Sequence, residues 1–352
     1  MSVDNMIHYP GEWLKGVGPN SDIVISSRIR LARNLSEYVF PSNLGERNTN
    51  QLLLALDEVT HKSKLLKRSV FLYTDDLSSV DKEILVERHL ISKDHADAKS
   101  KGGVCVTEDE IVSIMVNEED HLRMQTLQSG FNLLEAWRVM DQIDTDLGKK
   151  LNFPFDKKLG FLTACPTNLG TGLRASCMLH LPALVMTKQI NKVVQALSKL
   201  DVAVRGLYGE GTQAVGNFFQ FSNQLTLGKN EEKIIADLEK IVKQIISHET
   251  EARKTLKQKR KSKLEDQVWR AVGILKAARI LSSQEANSLL SLVRLGCDLK
   301  LVPQLTQKQL NELFLLIQPA HLQKISKKKL SIEKRDITRA TLIREKLEGV
   351  DL

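Results

Sequence analysis

Four short segments of the chain place charged or nucleophilic side chains beside glycines or after apolar runs. The densest, residues 165–174, joins the thiol of Cys165, the glycines Gly170 and Gly172, and the guanidinium of Arg174. The apolar run 159–164 before it predicts a buried strand. Glycines let a ligand approach the main chain, and free N–H groups at a turn into a helix bind anions. The segment predicts an anion site, with a tight turn around a buried cysteine as the alternative.

The second segment carries three consecutive carboxylates, Glu118, Glu119 and Asp120, after the alternating run 111–116, which predicts a strand. Adjacent carboxylates repel one another unless cations share the site. The alternative interpretation is an acidic helix N-terminus, which the helix dipole favours. That interpretation suffices for Asp120, whereas the two glutamates indicate a functional site.

The other two segments are basic. Arg28 and Arg30, after Ser27, follow a short apolar run, and on an extended chain their side chains point to one face. Arg205 stands where the apolar residues 202–204 end and a Gly-rich segment carrying Glu210 begins. This pattern predicts a strand that leads into a loop.

Taken together and in this order, the segments resemble the phosphagen kinase family, the guanidino kinases that include arginine and creatine kinase. The resemblance covers roughly residues 20–245 and depends on four motifs: Ser-Arg-x-Arg, Asn-Glu-Glu-Asp-His-Leu-Arg, Cys-Pro-Thr-Asn-Leu-Gly-Thr-Gly and Arg-Gly-x-x-Gly-Glu. From end to end the chain is similar to the bacterial protein arginine kinases. The metabolite kinases carry a helical domain before the first motif, whereas only 27 residues precede Arg28 here, too few for an independent core. The resemblance therefore implies a site that admits an arginine attached to a protein.

The resemblance also implies a role for each candidate residue. The residues implied in ATP binding are Ser27, Arg28, Arg30, His89, Arg123, Arg174 and Arg205. Mg²⁺ is expected to bridge the phosphates, with no firm protein ligand, and for His89 an ordinary surface position is the alternative. Catalytic roles are implied for Glu119 and Glu210, which would grip the acceptor guanidinium and take its proton, and for Cys165, which as a thiolate would polarise it. Glu118 would serve either Mg²⁺ or the arginines.

Composition limits the class of protein. The four cysteines have irregular spacing, which favours a reducing cytoplasm over a disulfide framework or zinc site. The N-terminus does not resemble a signal peptide, and no apolar run is long enough to span a membrane, so we expect a soluble cytoplasmic protein. The net charge is +8, and residues 257–263 are rich in lysine. Only 5% of residues are aromatic, so nucleic-acid binding is disfavoured relative to a solvated helix or linker.

The pattern and the resemblance predict an α+β fold. Residues 1–250 would form a phosphagen-kinase-like catalytic domain, with a central, largely antiparallel sheet flanked by helices. Predicted strands lie near residues 22–27, 103–107, 111–117, 159–164, 201–205 and 218–227. Residues 251–352 would form an all-helical domain, with a boundary region at 251–265. Its apolar faces could also pair with another copy, as a homo-oligomer.

Several helix signals support the helical domain. Helix starts are predicted at Ser282, Thr306 and Ser331. The predicted apolar stripe on the second of these helices consists of Leu310, Leu313, Phe314 and Ile317.

The segment Arg335, Asp336, Arg339, Ala340 places two arginines four residues apart, on one helix face, with Asp336 able to orient Arg339. Such pairs are usually solvated salt-bridge faces. The resemblance implies instead that these four residues recognise phosphoarginine away from the active site.

The expected activity is ATP-dependent phosphorylation of protein arginines, marking proteins in the bacterial stress response and Clp-type proteolysis. The resemblance implies protein substrates with exposed arginines, an activator protein and a Clp-type unfoldase as partners. Two alternatives stay open at this point: a kinase of free arginine or another small guanidino compound, and a catalytically silent adaptor that binds phosphorylated protein or nucleic acid.

Overall fold

The computed structural model describes residues 3–7, 9–197, 199–206 and 214–350. The strands in these residues are β1 (Val24–Arg33), β2 (Ser69–Tyr73), β3 (Gly103–Thr107), β4 (Val112–Val116), β5 (Leu122–Ser129), β6 (Phe155–Asp156), β7 (Gly160–Phe161), β8 (Leu173–His180), β9 (Val202–Gly206) and β10 (Phe218–Asn223). The helices are α1 (Val3–Met6), α2 (Glu46–Lys62), α3 (Ser79–Glu87), α4 (Lys93–Asp97), α5 (Leu133–Gly148), α6 (Pro182–Met186), α7 (Ile190–Leu197), α8 (Glu231–Lys259), α9 (Lys261–Ala277), α10 (Ser283–Asp298), α11 (Gln307–Leu316), α12 (Pro319–Ile325) and α13 (Ile332–Lys346).

Among the described residues, eight strands form one antiparallel sheet in the order β2-β3-β4-β5-β1-β8-β10-β9. Strand β1 lies near the centre, between β5 and β8, so its residues are supported on both sides. The predicted α+β class, with a large antiparallel sheet flanked by helices and a helical C-terminal region, is confirmed.

The two faces of β1 have different compositions because successive side chains point to opposite faces. Ile29 and Leu31 are fully buried on one face, and β1 packs there against α5. Cys177 and Ala175, which pair with Ser27 and Ile29, belong to the same buried face of β8, and α8 covers β8. The other face carries Arg28 and Arg30.

The predicted strands and the structure differ in places. Residues 159–164 are not a buried strand, because only Gly160–Phe161 is extended and Leu159 is exposed. Strands β2, β5 and β8 were not predicted. Cys177 is fully buried in β8, where it pairs with Ser27 of β1. Burial on both sides removes the polar alternation that marks a strand.

The helical C-terminal region begins where α8 ends. The break lies at Arg260, with φ −139° and ψ 31°, inside the expected boundary region. Helix α8 itself runs through position 250, and one hydrophobic core includes residues from Trp13 to Val350. Arg253 of α8 lies 3.3 Å from Asp298 of α10 and 2.8 Å from Glu249. The division into two domains stays a prediction.

The helix signals of this region are confirmed. Ser282 and Ser331 accept a hydrogen bond from the main chain three residues on, and Thr306 forms a full capping box. The four residues of the apolar stripe on α11 are buried. Within the described ranges, we find no helix that is both long and apolar enough to cross a membrane.

Candidate active site

Five arginines share one face of the central sheet. Arg28 and Arg30 lie two residues apart on β1, and Arg30 pairs directly with Arg174 of β8. Ala32, next on the same face, pairs with Arg123 of β5. Directly opposed residues of an antiparallel pair point to the same side. Arg28 and Arg30 therefore point to one face, as predicted, and neighbouring strands add Arg123 and Arg174.

The fifth member, Arg205, comes from the edge strand β9. It pairs with Gln220 of β10, and Gln220 pairs with Met178 of β8. Met178 lies four residues after Arg174, so the alternation of side chains places Arg205 on the same face as Arg174. Gln220 also accepts a hydrogen bond from Arg28 Nη2 at 3.0 Å. The register therefore brings together arginines that are as far apart in sequence as residues 28 and 205.

A cavity of about 450 Å³ lies over this face. Its floor consists of Arg30, Arg123, Arg174 and Arg205. Its rim is formed by polar residues from three other segments, namely Asp94, Ser100, Asn117, Glu118, Glu119, Cys165, Thr167 and Asn168. The site thus joins a cationic floor to a rim that carries carboxylates and a thiol.

The arginines of this sheet face are short of counterions. Burial, together with the nearby charges of Arg123, Arg174 and Arg205, lowers the pKa of Arg28 to about 10. Burial and neighbouring arginines also lower the pKa values of Arg30 and Arg174. The Nε atoms of Arg30 and Arg174 are buried without a hydrogen-bond partner. Such a cluster is unfavourable alone and favours a polyanion that makes forked, charge-assisted bonds.

Glu118 is the counterion of one of them. Its Oε1 lies 2.5 Å from Arg123 Nη1 and accepts the hydroxyl of Ser92 at 2.6 Å. Its Oε2 accepts the main-chain N–H of Glu119 at 2.8 Å. Burial alone would raise the pKa of Glu118, but Arg123 and these hydrogen bonds outweigh it and lower the pKa. Of the two roles left open, the structure favours orientation of the arginine cluster.

The two described catalytic candidates lie on the rim, and both are accessible. Glu119 is exposed, and Asn168 Nδ2 donates to its Oε2 at 3.3 Å. Cys165 is half-buried, with its Sγ 2.9 Å from Thr167 Oγ1. The third candidate, Glu210, lies outside the described residues, so its role stays a prediction.

The acidic segment does not begin a helix, so the helix interpretation of Asp120 is wrong. Residues 117–121 connect β4 to β5, and the main chain of Asn117 donates to His121 O at 3.0 Å. The Oδ1 atom of Asp120 accepts Asn34 Nδ2 and the N–H of Ala164, each at 2.7 Å. Burial raises the pKa of Asp120, although both hydrogen bonds oppose it. This buried side chain fixes the main chain directly before Cys165.

The glycines after Cys165 serve the protein's own backbone. Gly170 has φ +98°, and a Cβ there would lie 2.2 Å from Thr226 O. Gly172 has φ +65°, and a Cβ there would lie 2.7 Å from Ala32 O. Cys165 is followed by a short 3-10 turn, Pro166–Asn168, and then by strand β8. The turn into a helix that an anion site would use is therefore not formed here. The close approach that requires glycine is therefore between main-chain segments.

Three of the implied ATP-binding residues do not line the cavity, namely Ser27, His89 and Arg28, the last of which lies on the same face as Arg30. Ser27 is fully buried, donates to Gly130 O at 2.8 Å and accepts the N–H of Asn132 at 2.9 Å. The structure therefore contradicts a contact between the Ser27 hydroxyl and a nucleotide. His89 lines a separate apolar cavity of about 20 Å³ with residues that include Trp13. Burial and Arg28 lower the pKa of His89 to about 3, so it is neutral, and its buried Nε2 lacks a partner. His89 is half-buried, and its role near the nucleotide stays a prediction.

The alternative interpretation of Arg335 and Arg339 as a solvated salt-bridge face is wrong for Arg339. Arg339 is 2% exposed, and it donates to Ile317 O at 3.0 Å, to Leu281 O at 2.8 Å and to Asp336. Its guanidinium therefore links α13 to the C-terminal end of α11 and to the loop before α10. Arg335 is half-buried, and its side chain makes no hydrogen bond or ion pair within the described ranges. Ala340 is fully buried.

Sequence reasoning missed two residues that shape the site. Ser92 donates to Glu118, and it is recognisable only as the N-cap of α4. Arg33 makes a forked pair with Asp144 at 3.0 and 2.8 Å, donates to Thr171 O at 2.8 Å and lies 3.5 Å from the ring of Phe161. Arg33 lies three residues after Arg30 on β1, so its side chain points to the opposite face of the sheet and is not part of the arginine cluster.

Two family models match the chain. Residues 53–252 match "ATP:guanido phosphotransferase, C-terminal catalytic domain", and residues 261–351 match "Protein-arginine kinase McsB C-terminal domain". A relative from Symbiobacterium thermophilum named protein-arginine kinase is 51% identical over 340 residues, 96% of each chain. Another of the same name from Desulforamulus reducens is 48% identical and covers 99% of each chain. The chain therefore belongs to the ATP:guanido phosphotransferase family and, within it, to the protein-arginine kinases.

Solved structures share the fold. The duplicated taurocyamine kinase from Schistosoma mansoni, bound to transition-state analog components, matches with a TM-score of 0.61 and 22% identity. The match covers 76% of this chain and 42% of that one, so this chain spans about two fifths of that structure. A lombricine kinase matches with a TM-score of 0.58 and 25% identity, covering 68% of this chain and 71% of that one.

Proposed function

We propose that this protein is an ATP-dependent protein-arginine kinase, which transfers the γ-phosphoryl group of ATP to arginine side chains of proteins. The observation that carries the proposal is the cavity itself, in which poorly neutralised arginines face accessible carboxylate and thiol groups. Family membership and relatives of the same name, matched over nearly the full length, support this activity.

The cationic floor suits the phosphates of the nucleotide. Phosphoryl transfer needs charge stabilisation around the transferred group more than covalent chemistry from the protein. Arg30, Arg123 and Arg174 offer forked donors on one rigid strand surface, and Arg28 lies just beyond them. The unpartnered Nε atoms of Arg30 and Arg174 fit a polyanion. We propose that His89 lies towards the base, because it lines an apolar cavity with Trp13 and not the cavity lined by the arginines.

The rim suits the acceptor. A guanidinium has a pKa above about 12, so it must be aligned and lose a proton as it attacks phosphorus. Glu119 is exposed on the rim, and the main-chain bond to Glu118 fixes its position. We propose that Glu119 and Glu210 hold the guanidinium and that one of them accepts its proton, while Cys165 lies against the same group.

Mg²⁺ would neutralise phosphate charge when ATP is bound. The described residues contain no cluster of three side chains suited to a metal. We propose that the ion is held mainly by the nucleotide, because Glu118 is already paired with Arg123.

The wider role follows from the resemblance alone. We propose that marked proteins enter a bacterial stress response and Clp-type proteolysis, with an activator protein and a Clp-type unfoldase as partners. We also propose cytoplasmic location, phosphoarginine recognition by the segment of Arg335, Asp336, Arg339 and Ala340, and assembly through the helical region.

The direct test supplies ATP with either a folded arginine-containing protein or free arginine, and compares the rates of transfer. Phosphosite mapping should find phosphate on arginine of the protein, with little on the free amino acid. Glu119→Gln is the matched variant, because the exposed amide keeps the shape but loses the charge. We expect it to bind ATP normally and to transfer at least ten times more slowly. Preferred transfer to free arginine would instead favour a small-guanidino kinase.

A further inference from the structure

Asp94 provides a second exposed carboxylate on the rim of the cavity. It lies on the short helix α4 and lines the same cavity as Glu119. In the part of the chain that the structure describes, its side chain makes no hydrogen bond or ion pair. The cap of α4 is already formed by Ser92, whose hydroxyl accepts the N–H of His95 at 3.0 Å. Asp94 is therefore not needed as the cap of its own helix.

The segment 92–101, which carries Asp94, is fixed at both ends to the β4–β5 hairpin, which carries Glu119. At one end the hydroxyl of Ser92 donates to Glu118 at 2.6 Å. At the other end Asn117 Nδ2 donates to Lys101 O at 2.6 Å. Asp94 therefore stands at a defined position relative to Glu119. A charge on a rigid element loses little conformational freedom when it binds a partner.

The floor of the cavity creates a need for such a charge. An acceptor arginine arrives as a cation, and the arginines of the floor repel it until the phosphates of ATP are in place. Carboxylates on the rim offset that repulsion. They attract the cation where it enters, without occupying the place of the phosphates.

We propose that Asp94 is a specificity-determining residue that attracts the cationic acceptor and discriminates against the phosphorylated product. The inference rests on the proposed function. In the transfer, the bond between the γ-phosphorus and the bridging oxygen of ADP breaks, a P–N bond forms, and the guanidinium proton passes to a rim carboxylate. The acceptor side chain changes from net positive to net negative. A fixed negative charge therefore favours binding of the substrate and release of the product.

The test uses the full chain with Asp94→Asn and, as its control, Asp97→Asn. Asp97 is an exposed carboxylate on the same helix that does not line the cavity, so the charge change is matched. We expect Asp94→Asn to raise the KM for an arginine-containing protein roughly two- to fivefold at low salt, the range for an exposed charge pair. The kcat and the KM for ATP should stay near those of the unaltered chain. A phosphoarginine peptide should inhibit the variant more strongly, by a similar factor.

Opposite changes in acceptor binding and product binding separate recognition from a general structural effect. Both changes should shrink at high salt, because screening weakens rim charges. Equal kinetics for the two variants would overturn the role of Asp94 while leaving the proposed function intact. A variant that loses kcat or ATP affinity instead would also overturn it. Failure of the unaltered chain to phosphorylate any arginine would overturn the proposed function and this inference together.

Discussion

Glu118 contacts Arg123 through one carboxylate oxygen, at 2.5 Å, and holds the main chain of Glu119 through the other, at 2.8 Å. Its side chain is 4% exposed. One buried carboxylate thus orients both a cation of the floor and a carboxylate of the rim. The proposed nucleotide and acceptor subsites are therefore mechanically joined at this residue.

Replacing Glu118 by Gln should impair both sides of the site. The amide keeps the shape but removes the counterion of Arg123, which should lower the free energy of unfolding by about 1–3 kcal/mol. Misaligned groups should also lower kcat by roughly 10–100-fold. Denaturant unfolding and steady-state kinetics measure these effects. Glu119→Gln is the control, and we expect it to lose activity while its free energy of unfolding stays unchanged. Normal activity in Glu118→Gln would contradict the orienting role of Glu118.

The same pair predicts a dependence on pH. The pKa of Glu118 in the folded protein lies below its ordinary value of 4.5. A lowered pKa means that the carboxylate stabilises the fold above pH 4.5 and that this stabilisation disappears as the pH falls through the folded-state pKa. The stability difference between the unaltered chain and Glu118→Gln should be constant near neutrality and shrink in acid. A difference that grows on acidification would show that the pKa is raised.

Arg30→Met should separate stability from ligand binding. Arg30 is poorly solvated, repelled by its neighbours and without a partner at Nε, so the unliganded variant should be as stable as the original or about 1 kcal/mol more stable. Stabilisation by ATP, seen as a rise in melting temperature, should be lost. Arg33→Met is the control, because Arg33 is paired with Asp144 and should be required for folding. A full ATP-induced shift in Arg30→Met would contradict the nucleotide site.

Thiol reagents should distinguish two of the cysteines. Cys165 is half-buried on the rim, whereas Cys177 is fully buried and burial raises its pKa to about 12. We expect Cys165 to react first and the protein to lose activity, with ATP and acceptor slowing the reaction. Peptide mapping of the modified protein identifies the site, and Cys165→Ala should be resistant. Modification of Cys177 in the folded protein would reverse the assignment.

Single replacements should separate the two arginines of α13. Arg339→Ala should lower the free energy of unfolding by about 2–4 kcal/mol, because three acceptors around a buried guanidinium lose their donor. Arg335→Ala should change it by less than about 0.5 kcal/mol. Phosphoarginine recognition is therefore tested with Arg335→Ala, by measuring binding of a phosphoarginine peptide. Unchanged binding would leave Arg335 as an ordinary surface residue.

The sequence predicted the fold class and, among the charged residues that line the cavity, all except Asp94. Three of the four motifs lie at or near strand ends, the fourth, residues 27–30, lies within β1, and one sheet brings all of these strands together. Alternation along β1 predicted that Arg28 and Arg30 share a face. The strand register, which only the structure shows, places Arg123 and Arg174 on the same face.

The failures share a physical cause. Asp120, Ser27 and Arg339 are polar residues whose partners are main-chain groups remote in sequence, so local pattern does not distinguish them from ligand-binding residues. Strands β5 and β8 are buried on both sides of the sheet and lack alternation. Asp94 lies on a five-residue helix that gives no periodic signal.

The central claim concerns a bond between phosphorus and nitrogen. After incubation with labelled ATP and an arginine-containing protein, the product should be treated in parallel with acid and with mild base. Protonation of the bridging nitrogen makes it a good leaving group, so the account predicts that the label is lost in acid and retained in base, and that Glu210→Ala forms no label. A main product that is stable in acid, as phosphoserine is, would contradict the account.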